Sequence, residues 1–114
     1  MKRGAKLFIQ DILECIEATE KFTKDISFRE FTKDDKTSSA VVRKIEIIGE
    51  AVKNLPKSIT DKYEKVPWSS MAKMRDKICH FYFGIDYEIV WKVIKENLPR
   101  LKDDVKKVLS DFDK

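Results

Sequence analysis

Apolar positions recur along most of this chain at steps of three and four, the period of an amphipathic helix. From about residue 4 to residue 26, Phe8, Ile12, Ile16, Thr19 and Phe22 share one face, with Glu14, Glu17, Lys21 and Lys24 mostly between them, which predicts a long first helix. Residues 27–36 are polar and irregular and read as a connection, in which Asp34, Asp35, Thr37 and Ser38 are all suitable helix caps. Val41, Ile45, Ile48, Val52 and Leu55 then advance by four, three, four and three, so a second helix runs to Asn54 or Leu55 with that stripe in the core. Pro56 stops it. Ser58-x-x-Asp61 reads as the cap of one short helix before Val66-Pro67-Trp68 redirects the chain. A further helix begins near Ser69, with Met71, Met74, Ile78 and Phe81 as a buried seam and Gly84 as its stop. Asp86 caps a last helix whose stripe of Val90, Val93, Ile94, Leu98, Leu101, Val105, Val108 and Leu109 continues toward the C-terminus, with a kink or short break at Pro99. The chain reads as all-α, with no β-sheet.

With 114 residues and no Gly/Ser/Pro-rich stretch to divide it, the chain is expected to form one domain over residues 1–114. A core of that size needs neither disulfide nor metal. No apolar run approaches the roughly 20 residues of a membrane span. Met1-Lys2-Arg3-Gly4 leads straight into charged helix without the core of a signal peptide, so a cytoplasmic protein away from membranes is expected. Cys15, Cys79 and a single histidine leave too few soft ligands for a zinc cluster, so reduced thiols, no metal and no cofactor are expected. Charged residues make up 39% of the chain, and its formal charge of +4 is compatible with a polyanionic partner without selecting one.

Residues 66–86 contain the array Arg75-x-x-x-x-His80-x-Tyr82, preceded by Pro67-Trp68 and followed by Phe83-Gly84-Ile85-Asp86. Together with Arg43-Lys-Ile-Glu-Ile-Ile-Gly-Glu-Ala51 in the preceding helix, it resembles the HepT-like branch of the HEPN superfamily, toxins paired with MNT-type nucleotidyltransferase antitoxins. The resemblance extends over nearly the whole chain. It implies an up-and-down bundle of four or five helices that forms a homodimer. It also implies a metal-independent endoribonuclease acting on RNA, with Arg75 and His80 catalytic, and a nucleotidyltransferase partner that attaches AMP to Tyr82. Asp76 stands where that family often has asparagine, placing a carboxylate beside the motif.

The residue types suit the implied chemistry. Cleaving RNA without a metal requires a base for the 2′-hydroxyl, and an imidazole with an ordinary pKa near 6.5 serves at neutral pH. The phosphorane formed by the attack carries more negative charge than the ground state, which a guanidinium stabilises preferentially. On an ideal helix, however, Arg75 and His80 stand about 140° apart, whereas Arg75 and Tyr82 share a face. Either the helix distorts near His80 or a dimer brings two motifs into one cleft. The family's habit is the second, with two His80 rings dividing base and acid duties. Asp76 and Glu50 are the carboxylates placed to orient these cations, while Arg43 and Glu46 read as structural ion-pair members. The bland alternative pairs Arg75 with Asp76 or Glu50 as a surface arginine and leaves His80 as a helix-end histidine. The protein would then be a non-catalytic helical module that binds a nucleotide or a partner. Trp68, Trp91, Met71 and Met74 read as core, Cys79 as buried, and Gly49 as a point where another helix approaches closely. Lys53, Lys57, Lys62, Lys65, Lys73 and Lys77 read as a solvated face.

Overall fold

The structure is a computed structural model that describes residues 4–80 and 84–113, with residues 79 and 80 described by their backbone alone. Its long helices are α1 (Ala5–Thr23) and α3 (Asp35–Lys53), joined by the short α2 (Phe28–Lys33). After α4 (Lys57–Lys62) come α5 (Trp68–Ala72) and α6 (Met74–Ile78). The two-residue strands β1 (Cys79–His80) and β2 (Gly84–Ile85) follow, and then α7 (Tyr87–Lys92) passes through a π-helical turn at Val93–Asn97 into α8 (Leu98–Phe112). Helix α1 packs against both α3 and α8, and α3 carries α5 and α6 on another side, so an all-α bundle forms around one contiguous core.

The apolar stripes account for that core. Val41, Ile45, Ile48 and Val52 of α3 are buried, as are Met71, Met74 and Ile78 across α5 and α6, and Val90, Val93, Ile94, Leu98, Leu101, Val105 and Val108 after them. The face of α1 is turned by one position relative to the pattern: Ile9, Ile12, Cys15, Ile16, Thr19 and Thr23 are buried, whereas Phe22 is 39% exposed. Threonine is tolerated inside because the hydroxyls of Thr19 and Thr23 donate to the carbonyls of Cys15 and Thr19, at 2.9 and 2.8 Å. The helix ends at Thr23 rather than near residue 26, since Asp25 takes a left-handed conformation with φ of 61°. Buried Cys15 is free, and loss of solvation pushes its thiol pKa up, which fits an inert core residue.

Three local departures from the periodic pattern follow from identifiable chemistry. Residues 27–36 are not an irregular connection, because Ser27 and Glu30 form a reciprocal capping box that starts α2 and buries Phe31. Asp34 then caps α3, its carboxylate accepting from the Thr37 amide and hydroxyl; these bonds, the hydroxyl's foremost, hold its pKa below the ordinary value. The expected kink at Pro99 appears just upstream as the π turn. A proline ring collides with the carbonyl four residues before it, and here the Leu98 N–H reaches back five residues to the Val93 carbonyl.

The third departure overturns the expectation of no β-sheet. The helix containing Met74 and Ile78 does not continue to a stop at Gly84. It is interrupted at Lys73, ends at Ile78, and gives way to an antiparallel pairing of Cys79 with Ile85 and His80 with Gly84. The Asp86 N–H donates to the Ile78 carbonyl at 2.8 Å, and Gly84 has φ of 90°, a conformation that glycine adopts without strain. Phe81, an expected seam residue, lies outside the described residues.

Candidate functional site

The site is built where α6 crosses α3. Gly49 permits the crossing: a Cβ at that position would come 3.3 Å from the Ala72 carbonyl oxygen, closer than an ordinary contact. The expectation of a close helix approach at Gly49 is therefore met, and α5 is the neighbour that makes it. This proximity places Arg75, early in α6, over the middle of α3. Its Nε lies 3.5 Å from Glu46 Oε2, and its Nη1 lies 3.8 Å from Asp76 Oδ1. Glu46 Oε2 is also 4.0 Å from Arg43 Nη1. Two guanidinium groups and two carboxylates thus alternate on one exposed surface.

The carboxylate that α3 presents to Arg75 is Glu46, one turn before Glu50. Glu50 is exposed, and its backbone carbonyl accepts a 2.8 Å bond from the Asn54 side-chain amide. Sequence reasoning assigned Glu46 to ion pairing without linking it to the motif. Its i,i+3 relation to Arg43 was visible, but contact with Arg75 depends on how two helices cross.

These contacts are loose. The Arg75 side chain is 55% exposed and that of Asp76 72%, with separations longer than a good charged hydrogen bond. Exposed pairs of this kind are worth about 0–1 kcal/mol. The guanidinium is consequently steered by two carboxylates through contacts loose enough to exchange for another anion.

His80 stands in β1, its backbone paired with Gly84, beyond the end of α6. The ideal-helix separation between Arg75 and His80 does not apply, because the chain leaves the helix between them. The side chain of His80 and that of Cys79 are outside the described residues, as is Tyr82 entirely. Of the named site residues, the structure brings Arg75 and Asp76 together and leaves Glu50 apart from that contact.

Comparison with known proteins adds a second line. The chain matches the family described as ribonuclease HepT-like over residues 12–108. It is 47% identical over 108 residues to a protein of Thermococcus cleftensis named "Probable ribonuclease HepT", covering 95% of this chain and 98% of that one. It is 45% identical over 112 residues to a candidate RNase of Methanocaldococcus jannaschii, covering 98% of this chain and 93% of that protein. A candidate RNase of Caldanaerobacter subterraneus is 47% identical over 102 residues, covering 90% of this chain and 91% of its own. No solved structure gave a significant match.

Proposed function

Because the chain belongs to the ribonuclease HepT-like family, we propose that it is a metal-independent endoribonuclease whose reaction centre is Arg75 and His80, and that it acts as the toxin of a toxin–antitoxin pair. The observation that carries this reading is the end of α6 at Ile78, between the two residues. A guanidinium held on a helix and an imidazole carried on the extended segment after it are not bound by the angular separation that one continuous helix would impose.

In the reaction, His80 takes the proton of a ribose 2′-hydroxyl, and the 2′-oxygen forms a bond to the adjacent phosphorus. Arg75 leaves Glu46 and Asp76 to meet the negative charge that develops on the phosphorane. The bond from phosphorus to the 5′-oxygen then breaks, the leaving oxygen is protonated by an imidazolium, and a 2′,3′-cyclic phosphate remains. One histidine per chain makes a homodimer the natural catalyst, since two His80 rings across a two-fold axis can serve as base and acid. Tyr82 is the residue that an MNT-type nucleotidyltransferase antitoxin would modify with AMP. Bulk and negative charge placed there oppose an RNA backbone.

The test uses wild-type protein with a single-stranded RNA and the DNA of the same sequence, in the presence of a chelator. Cleavage of RNA alone, leaving cyclic phosphate ends, is the expected result. Intact RNA with protein free of any modification on Tyr82 would overturn the reading and leave a non-catalytic helical module.

Asp76 supplies a graded prediction. Replacing it with asparagine removes a carboxylate 3.8 Å from the Arg75 guanidinium while keeping its shape. Since an exposed pair contributes at most about 1 kcal/mol, KM for RNA should fall by up to roughly fivefold at low salt. The gain should shrink as salt is added. A KM that rises instead would show that Asp76 orients the arginine rather than competing for it.

A further inference from the structure

A second charged surface lies on elements that the Arg75 site does not use. Between the end of α1 and the junction of α7 with α8 is an open groove of about 540 Å³, with Pro99 on its wall. Lys21, Lys24, Lys95 and Lys102 line it against one carboxylate, Glu20. That carboxylate is already engaged, 2.8 Å from Lys102 Nζ, and the bond raises the pKa of Lys102. Lys21, Lys24 and Lys95 are exposed. The carbonyl end of α1 contributes about half a negative charge, which three exposed ammonium groups outweigh.

The π turn supplies part of the groove's wall, Ile94 and Lys95. One residue more than an α-turn is accommodated between Val93 and Leu98, and the bulge that results carries Lys95. Lys95 also joins the groove to an aromatic edge: its Nζ lies 4.7 Å above the Trp91 ring. Trp91 in turn packs against Phe28 with centroids 5.8 Å apart. Phe28 is 36% exposed although it is a large apolar side chain beginning a short helix. Ammonium groups in a trough, with a partly exposed aromatic side chain next to the ring that Lys95 covers, form the combination that holds a single strand, phosphates on the lysines and a base on the ring.

We propose that this groove and Phe28 form an accessory binding track for single-stranded RNA, separate from the Arg75 centre. The proposal rests on the ribonuclease reading for the identity of its ligand. On it, the strand is held by Lys21, Lys24 and Lys95 through its backbone, without base specificity, and a base stacks on Phe28. The track favours long, unpaired substrates over short ones.

The experiment separates the track from the reaction by using two probes. Binding of a fluorescent single-stranded oligodeoxynucleotide, which lacks the attacking hydroxyl, reads the track. Cleavage of a dinucleotide, the shortest RNA that carries the reacting bond, reads the centre. A Lys24→Glu, Lys95→Glu double variant should weaken oligonucleotide binding at least tenfold and reduce the salt slope by about one to two. Phe28→Ala should weaken it about five- to a hundredfold with little change in salt slope. Both should leave dinucleotide cleavage within about twofold of wild type, and a Lys24→Gln, Lys95→Gln variant should bind between the two extremes. Unchanged binding or an unchanged salt slope overturns the proposal. So does an equal loss on the dinucleotide, or a change in oligomeric state as the sole effect. If wild-type protein fails to cut a long single-stranded RNA as well as the dinucleotide, the nuclease reading falls, while the binding arm still decides the groove.

Discussion

Replacing Arg75 with alanine is expected to lower the rate of RNA cleavage at saturating substrate by a factor on the order of 10²–10³, with a smaller effect on KM. The asymmetry follows from where its charge is needed. In the free protein the guanidinium is shared between Glu46 and Asp76 at 3.5 and 3.8 Å, contacts too exposed to hold much stability. A ground-state phosphodiester meets an arginine already half satisfied. The phosphorane, with its extra charge, draws it more strongly, so the residue acts mainly on kcat. Arg75→Lys should recover only part of the loss, because an ammonium offers a point charge where the guanidinium offers a planar fork. His80→Ala should be at least as damaging, and the two losses should fall well short of additive if both residues serve one transition state. Thermal melts of the Arg75 variants should stay close to wild type, since that side chain is half exposed. A variant that keeps full kcat and loses only affinity would remove Arg75 from the chemistry and make it a binding residue.

The candidate site's residues are named from the sequence motif, whereas the geometry around Arg75 comes from the fold. The motif places Arg75, His80 and Tyr82 by spacing alone, but spacing is measured along a regular helix, and the helix ends at Ile78. A signal for that ending was present: β-branched Ile78 is followed within five residues by the aromatic trio Phe81-Tyr82-Phe83 and then a glycine. The buried seam of Met71, Met74 and Ile78 fits a helix equally well up to its last member, so periodicity extended it too far. Glu46 was missed for a different reason. Helical geometry says which residues of α3 share a face, but not which turn of that face meets α6. That is fixed by the approach of Ala72 to Gly49, a tertiary contact. The stripes of α3 and α8 were read correctly because a core-facing helix needs only its own period to declare itself, and Asp86 was read as a cap and Asp34 as one of four candidates because capping is local. The cap expected at Ser58 is not made: α4 starts directly after Pro56, which places Ser58 inside the helix.

The same reasoning predicts the largest loss of stability from a residue the periodic pattern passed over. Phe31→Ala should cost about 3–5 kcal/mol, a third or more of the stability of an ordinary domain of this size, and lower the melting temperature by roughly 10–20 °C. Helix α2 has only six residues, too few for a stripe to show, and its charged neighbours make the stretch look like a linker. Yet Phe31 is fully buried, with the Tyr87 ring at 6.1 Å edge-on and the Trp91 ring at 5.3 Å. The capping box of Ser27 and Glu30 holds the helix that points this side chain inward. Removing the ring leaves a cavity between α2 and α7 that the flanking aromatics cannot close without leaving their own contacts. Phe31→Leu keeps most of the volume and should cost less than about 1.5 kcal/mol. The control is Phe22→Ala, which the pattern put in the core and which the structure leaves 39% exposed. It should change stability by only about 0.5 kcal/mol. Thermal denaturation of the three variants checks the ordering, and a Phe22→Ala loss equal to that of Phe31→Ala would mean that α1 turns the face its sequence pattern indicates and that α2 is not seated on the core.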